Sequence, residues 1–183
     1  PQPTRDVVLG LACPELPGTP WVVPRPLSEC RIAILTSAAL IERGAMPFPA
    51  GTAEFRKLPS SLAPADMLMS HISINFDRFG FQRDINIAYP IDRLRELAAD
   101  GTIGSVADTH YSVMGSTDPA TMAETADGIV GLLKQQEVDA VPPPDFIEDP
   151  MHVPVLQEGW QRGREDLRRD DDAAEHLAWV YEV

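Results

Sequence analysis

Arg31 to Thr36 (RIAILT) is a short, nearly continuous apolar run rich in β-branched residues. A run of this kind suits a strand buried on both faces, as in a parallel sheet, and leaves Thr36 and Ser37 at its carboxyl end. Asp6 to Ala12 (DVVLGLA) reads as a second short strand, followed by a proline-rich loop from Cys13 to Pro26 where fixed φ angles favour extended chain. In HISINFDRFGFQRDINIAYP no helical stripe holds, and His71, Ser73, Asn75 and Asp77 share one side of any extended stretch, so the segment reads as a loop with strand pieces. From Ile91 to Ala99 the period changes to that of a short helix, with Asp92 as cap, Leu94, Leu97 and Ala98 on one face and Gly101 as the stop. Asp118 followed by Pro119 predicts the start of a longer helix with a buried stripe of Met122, Ala126, Ile129 and Leu133. Glu137 to Val141 (EVDAV) then reads as a strand, cut by Pro142, Pro143 and Pro144 where a buried parallel strand would still be running. At the end, Ala173, Leu177 and Val180 form the stripe of a terminal helix that Trp179 and Tyr181 would dock.

This order of strand, helix and strand predicts an α/β fold: a layered α/β/α arrangement with a mainly parallel sheet, proline-rich arms and a C-terminal helix. With 183 residues and a 44% apolar share, a single domain spanning 1–183 can bury a real core. The 18 prolines, about twice the usual share, mark 1–26 and 142–160 as extended arms.

Charge narrows the partners. Fifteen basic against 28 acidic side chains give −13, and no run of Lys and Arg offers a polyanion site. Nucleic acid and anionic membrane surfaces are therefore not expected partners. No apolar run reaches the roughly 20 residues of a membrane helix, and PQPTRDVVLGLACPELPG lacks the order of a signal peptide. With only Cys13 and Cys30 available to pair, the expectation is a reducing, cytoplasmic setting.

The densest polar constellation runs from His71 to Asn86 and includes Asn75, Asp77, Arg78, Arg83 and Asp84 among Ile, Phe and Tyr. Polar groups among apolar neighbours need partners, and a His meeting a carboxylate makes a base and its orienter. The plainer reading is that Asp77 and Asp84 pair with Arg78 and Arg83 to organise a loop. DTHYSVMG adds His110, Tyr111 and Ser112: a proton carrier, a phenol and a hydroxyl. His71, Asp77, Asp84 and His110 are also a chemically competent metal set, although no HExxH or CxxC spacing accompanies them. Cys30 reads as packing rather than chemistry, and Cys13 precedes a proline in an extended loop. No GxGxxG or Walker sequence is present, and Gly128 and Gly131 lie inside a helix. Asp170 to Asp172 reads as a solvated helix start, with a cation site as the alternative.

LSECRIAILTSAALIERG, MSHISINFDRFGFQRDINIAYPIDRLRELAADGTIGSVADTHYSVMG and LLKQQEVDAV together resemble the glycine, sarcosine, betaine and D-proline reductase selenoprotein B family over about residues 6–141. The resemblance implies an α/β protein in which a selenocysteine or cysteine attacks a small amino-acid-derived substrate and opens a carbon–nitrogen bond reductively. In the family that residue follows the strand matching EVDAV, where this chain has Pro142, Pro143 and Pro144. Either a segment between Val141 and Pro142 is missing from the chain as written, or the chain lacks the nucleophile and is a binding or regulatory homologue.

The first reading is a reductase whose catalytic groups are His71, Asp84 and His110, converging on one cleft. Its substrate would be held by Asn75, Asp77, Arg83, Asn86, Tyr111 and Ser112 near a sheet's carboxyl edge. A noncatalytic subunit that binds a small amino-acid-like ligand is the alternative, and a metal-assisted hydrolase the third. No cofactor is identified, and a homo-oligomer is expected from the proline-rich arms.

Overall fold

The computed structural model describes residues 25–73, 78–118 and 121–142. The strand expected at Asp6 to Ala12, the terminal helix and nearly all of both arms lie outside these residues.

The apolar run RIAILT becomes two strands in line, β1 (Arg31–Ile32) and β2 (Leu35–Thr36). β3 (Leu40–Glu42), β4 (Phe55–Pro59) and β5 (Met67–Met69) follow, and later β6 (Ser105–Val106) and β7 (Thr109–Val113). The helices are α1 (Phe79–Arg83), α2 (Ile91–Ala99) and α3 (Ala123–Gln135). β1 runs parallel to β6 and β2 parallel to β7, whereas β4 pairs antiparallel with β7 and β3 antiparallel with β5. The sheets are therefore mixed rather than mainly parallel. The expected strand at Glu137 to Val141 is reduced to bridging residues, with Ala140 paired parallel to Ile32, so its orientation is as expected and its length is not.

Alternation along the first run explains its burial on both faces. Ile32 and Ile34 pack with Leu58, Tyr89, Ile91, Leu94 and Ile103. Ala33, between them, packs with Tyr111, Ile129, Leu133 and Val138. One face thus meets the apolar side of α2 and the other that of α3, as the period of two in a strand requires. A third cluster of Ala39, Ile41, Phe48 and Met114 lies beside β3 and β7.

Helix α2 has the predicted bounds, and Gly101 beyond it takes a φ of +81°, a conformation that glycine adopts without strain. Its start differs from expectation. Pro90 occupies the cap position, and Asn86 Oδ1 accepts from the Asp92 amide at 3.0 Å in place of a cap from Asp92 itself. Leu97 faces outward, so the buried stripe is Ile91 and Leu94. Helix α3 begins at Ala123 rather than at Asp118, because Thr121 donates both its amide and its hydroxyl to the Asp118 carbonyl and closes a separate turn first. Ile129 and Leu133 are buried as expected, whereas Ala126 is exposed. In the 71–86 segment the described residues contain helix α1 and a 3-10 turn at Ile85–Ile87 rather than strand pieces.

Candidate functional site

The carboxyl ends of the parallel strands β2 and β7 meet at a tight junction. After Thr36 the chain turns through Ser37 and Ala38 to Ala39, whose φ of +52° is rare for a residue with a side chain. That turn is held from three sides. Gly115 donates to Ser37 O at 3.0 Å, the Ala39 amide to Val113 O at 3.0 Å, and the Ser70 amide to Ala39 O at 2.9 Å. Thr36 Oγ1 accepts from the Ala38 amide at 3.2 Å.

The last of these bonds brings in His71. Ser70 follows β5 and is anchored at the junction, so the next residue enters it, with only 8% of its surface exposed. A Cβ placed on Gly115 would lie 2.8 Å from Ser37 O and 3.4 Å from His71 Nε2. Gly115 is therefore glycine because the carbonyl and Cβ of Ser37 occupy the space a side chain would need, with the imidazole in contact beside them. His71 Nδ1 accepts from the Ser73 amide at 3.1 Å, which puts the proton of the neutral ring on Nε2, the nitrogen that faces Gly115. The arrangement places an imidazole N–H beside a backbone carbonyl and the hydroxyl-bearing Ser37.

His110 lies elsewhere. It sits near the start of β7, about 16 Å along the strand from Gly115 at the usual rise per residue. From Ile32 to Leu35 is three residues, but from Val106 to Tyr111 is five, so the parallel ladder is interrupted. Asp108 O accepts instead from the Ser60 amide at 2.8 Å. The Ile34 amide, deprived of a backbone acceptor, donates to His110 Nδ1 at 3.0 Å. The imidazole thus completes the ladder. It is wholly buried against Tyr89, ring to ring at 5.5 Å, and burial together with the positive charge of Arg95 pulls its pKa down to about 4. Nε2 of His110, the Tyr89 hydroxyl and the Ser112 hydroxyl are buried with no protein partner among the described residues.

Asp84 is exposed at the end of α1, where it accepts from both the side chain and the amide of Asn86, each at 2.9 Å. These bonds hold its carboxyl below the usual carboxylate range. Asn86 extends the network to Asp92 and so joins the loop to α2. Arg83 is exposed in the last turn of α1, and among the described residues it forms no ion pair with Asp84; nor does Arg78. Arg78 instead donates to His71 O and Ser73 O. Tyr111 points to the opposite face of β7 from His110 and Ser112, edge-on to Phe55, with its hydroxyl accepting from Gln136 at 2.7 Å. Burial pushes that phenol up. Asn75 and Asp77 lie outside the described residues.

The three residues expected in one cleft are therefore distributed: His71 at the carboxyl end of β7, His110 toward its amino end, and Asp84 on the α1–α2 connection. Sequence reading missed Gly115, Ala39 and Arg78 as parts of the junction. A glycine directly after a strand was the available signal for the first. Among the described residues no group of three His, Cys, Asp or Glu side chains gathers as a metal site needs, so the hydrolase reading finds no support there. Cys30 is fully buried, with its thiol toward the carbonyls of Arg25 and Pro26, and burial pushes its pKa up. No helix among the described residues is long and apolar enough to cross a membrane.

Comparison with known proteins adds ancestry. D-proline reductase subunit gamma of Acetoanaerobium sticklandii is 32% identical over 132 residues, which cover 70% of this chain and 54% of that protein. Glycine reductase complex component B subunit gamma of Carboxydothermus hydrogenoformans is 29% identical over 135 residues, 69% of this chain and 31% of that protein. Betaine reductase complex component B subunit beta of Peptoclostridium acidaminophilum is 39% identical over 71 residues, 38% of this chain and 16% of that protein. The chain spans about half or less of the length of these relatives. No solved structure matches the chain. The family described as glycine/sarcosine/betaine reductase selenoprotein B matches residues 25–142, more than half of the chain, and the whole junction from Ser37 to Gly115 lies inside that span. This protein belongs to the glycine/sarcosine/betaine reductase selenoprotein B family.

Proposed function

We propose that the chain serves a reductase of this family by holding a small amino-acid-derived substrate at the junction of Ser37, His71 and Gly115. The observation that carries the reading is the approach of His71 Nε2 to Gly115 at the carboxyl ends of two parallel strands, the edge where open α/β sheets collect their ligands. In the reaction, a selenol or thiol attacks carbon and the carbon–nitrogen bond breaks with its electron pair passing to nitrogen. The substrate nitrogen is cationic, so the amine leaves neutral; His71 Nε2–H holds the substrate by a hydrogen bond, and a thiol donor supplies the two electrons that later free the carbon, which takes up a proton, from selenium or sulfur. Asp84 and His110 act as positioning groups, the first through Asn86 and the second by fixing the strand that leads to Ser37. Asn75, Asp77, Arg83 and Ser112 remain the proposed substrate-side groups, whereas Tyr111 faces the other side of β7 and Asn86 is committed to Asp84 and Asp92. The reading includes a layered α/β/α core, which the alternate packing of the first run against α2 and α3 supports. It also includes work within an assembly, since the relatives are named as subunits.

Titration calorimetry on the full chain with glycine, sarcosine, betaine and D-proline tests this reading. One of the four should bind, with His71→Ala weakening it by about 10–100-fold, the worth of one charge-assisted hydrogen bond. Gly115→Ala should abolish it. Failure of all four to bind an intact wild-type chain would overturn the proposal.

A second reading, a binding subunit with the attacking group on another chain, is favoured by one observation. The only cysteine among the described residues, Cys30, is sealed in the core.

A further inference from the structure

We propose that Arg78 is a positioning residue: its guanidinium fixes the tautomer and aim of the His71 imidazole by pinning the turn from His71 to Ser73. The role in substrate chemistry rests on the function proposed above, but the geometric role does not.

The turn is held from both ends by bonds to its backbone. Between the buried His71 and the partly buried Ser73, Ile72 is 46% exposed, so its own side chain adds little burial to the turn. Upstream, Ser70 is secured by its amide to Ala39 O and by its hydroxyl to the Phe48 amide at 2.9 Å. Downstream, Nη2 of Arg78 donates to His71 O at 2.5 Å and to Ser73 O at 3.1 Å, so one nitrogen braces the two carbonyls that flank Ile72. Arg78 is itself seated by α1, because its carbonyl accepts from the Gln82 amide at 3.0 Å in the first turn.

The consequence falls on His71 through Ser73. The Ser73 amide keeps its bond to Nδ1 only while the peptide between residues 72 and 73 stays oriented, and the carbonyls on either side of that peptide are those that Arg78 grips. With Nδ1 held as an acceptor, the neutral ring carries its proton on Nε2, toward Gly115 and Ser37. Removing the guanidinium frees the peptide to rotate, and the proton then divides between the two nitrogens. A fixed second-nitrogen contact is the ordinary way a protein selects one histidine tautomer.

Long-range proton–nitrogen NMR of the imidazoles in the full chain reads this directly, at a pH where His71 is neutral. The wild type should show Nδ1 unprotonated and Nε2 protonated. In Arg78→Gln the two nitrogen shifts should move toward each other, and in Arg78→Lys, which retains a charged donor, they should return most of the way. If the Gln variant fails to fold, Arg78→Met keeps the aliphatic stem and is read in the same way. An unchanged His71 spectrum in a folded Gln or Met variant overturns the proposal, as does a folded Lys variant whose shifts stay as averaged as theirs. Because the readout needs no substrate, a chain that binds none of the four amino acids would defeat the proposed function and leave this assignment standing.

Discussion

At the scale of single residues, the two histidines of the middle segment divide the work that one sequence cluster suggested. His110 serves the backbone: its Nδ1 takes the Ile34 amide that the widened β7 cannot reach. Protonation would turn that acceptor into a donor. With a folded pKa of about 4 against 6.5 for the free side chain, the unfolded chain binds more protons between those values. This contribution is complete above pH 6.5 and is lost as the pH falls toward 4, about 3 kcal/mol in all. Urea unfolding at a series of pH values should show that decline, and His110→Ala should flatten it while costing about 3 kcal/mol at pH 7.5 through an orphaned amide and a cavity. A wild-type curve with no slope in this window would refute the role. Cys30 makes the opposite kind of prediction. Iodoacetamide should leave it unmodified in the native chain and alkylate it once urea exposes the core, as intact mass and peptide mapping would show.

Among the elements, connections decide more than the strands and helices they join. The turn after α2 is pressed against the 3-10 turn Leu27–Glu29 that precedes β1, with the Gly104 amide donating to both Leu27 O and Cys30 O at 3.0 Å. A Cβ at Gly104 would stand 2.7 Å from the Glu29 carbonyl carbon and 2.9 Å from Cys30 O, and both are backbone atoms that cannot swing aside. Gly104→Ala should therefore cost about 1–3 kcal/mol by thermal melting, whereas the open position at Gly131 should accept alanine with a small gain in helix stability. Asn86 offers a second measure, since its amide joins Asp84 to Asp92 and the first turn of α2. Its replacement by alanine should lose about 1 kcal/mol, the usual worth of a helix cap. Helix α2 was legible from Leu94 and Gly101 because its amphipathic period and stop are local. The start of α3 was misplaced because the Asp118 carbonyl closes a single turn with Thr121 before the helix begins, and nothing in the DP pair distinguishes the two.

For the whole molecule, an excess of 13 acidic charges sets a repulsion that packing must overcome. The ion pairs among the described residues, such as Arg93 with Glu96 and Arg95 with Asp92, lie largely at the surface and offset little of it. Raising sodium chloride from 20 to about 200 mM should therefore raise the melting temperature, because the repulsion is screened within a Debye length of roughly 10 Å or less. A fall would mean that the surface pairs outweigh the net charge. The sequence by itself determined the α/β class, the buried run from Arg31 to Thr36, the bounds of α2 and the family, because each rests on local periodicity or on residue order. Only the tertiary structure decided that the sheets are mixed, that His71 meets Gly115 while His110 stays behind in the ladder, and that Arg78 grips the carbonyls of His71 and Ser73. Those outcomes depend on strand register and on which amide lacks a partner, quantities set by residues far apart along the chain.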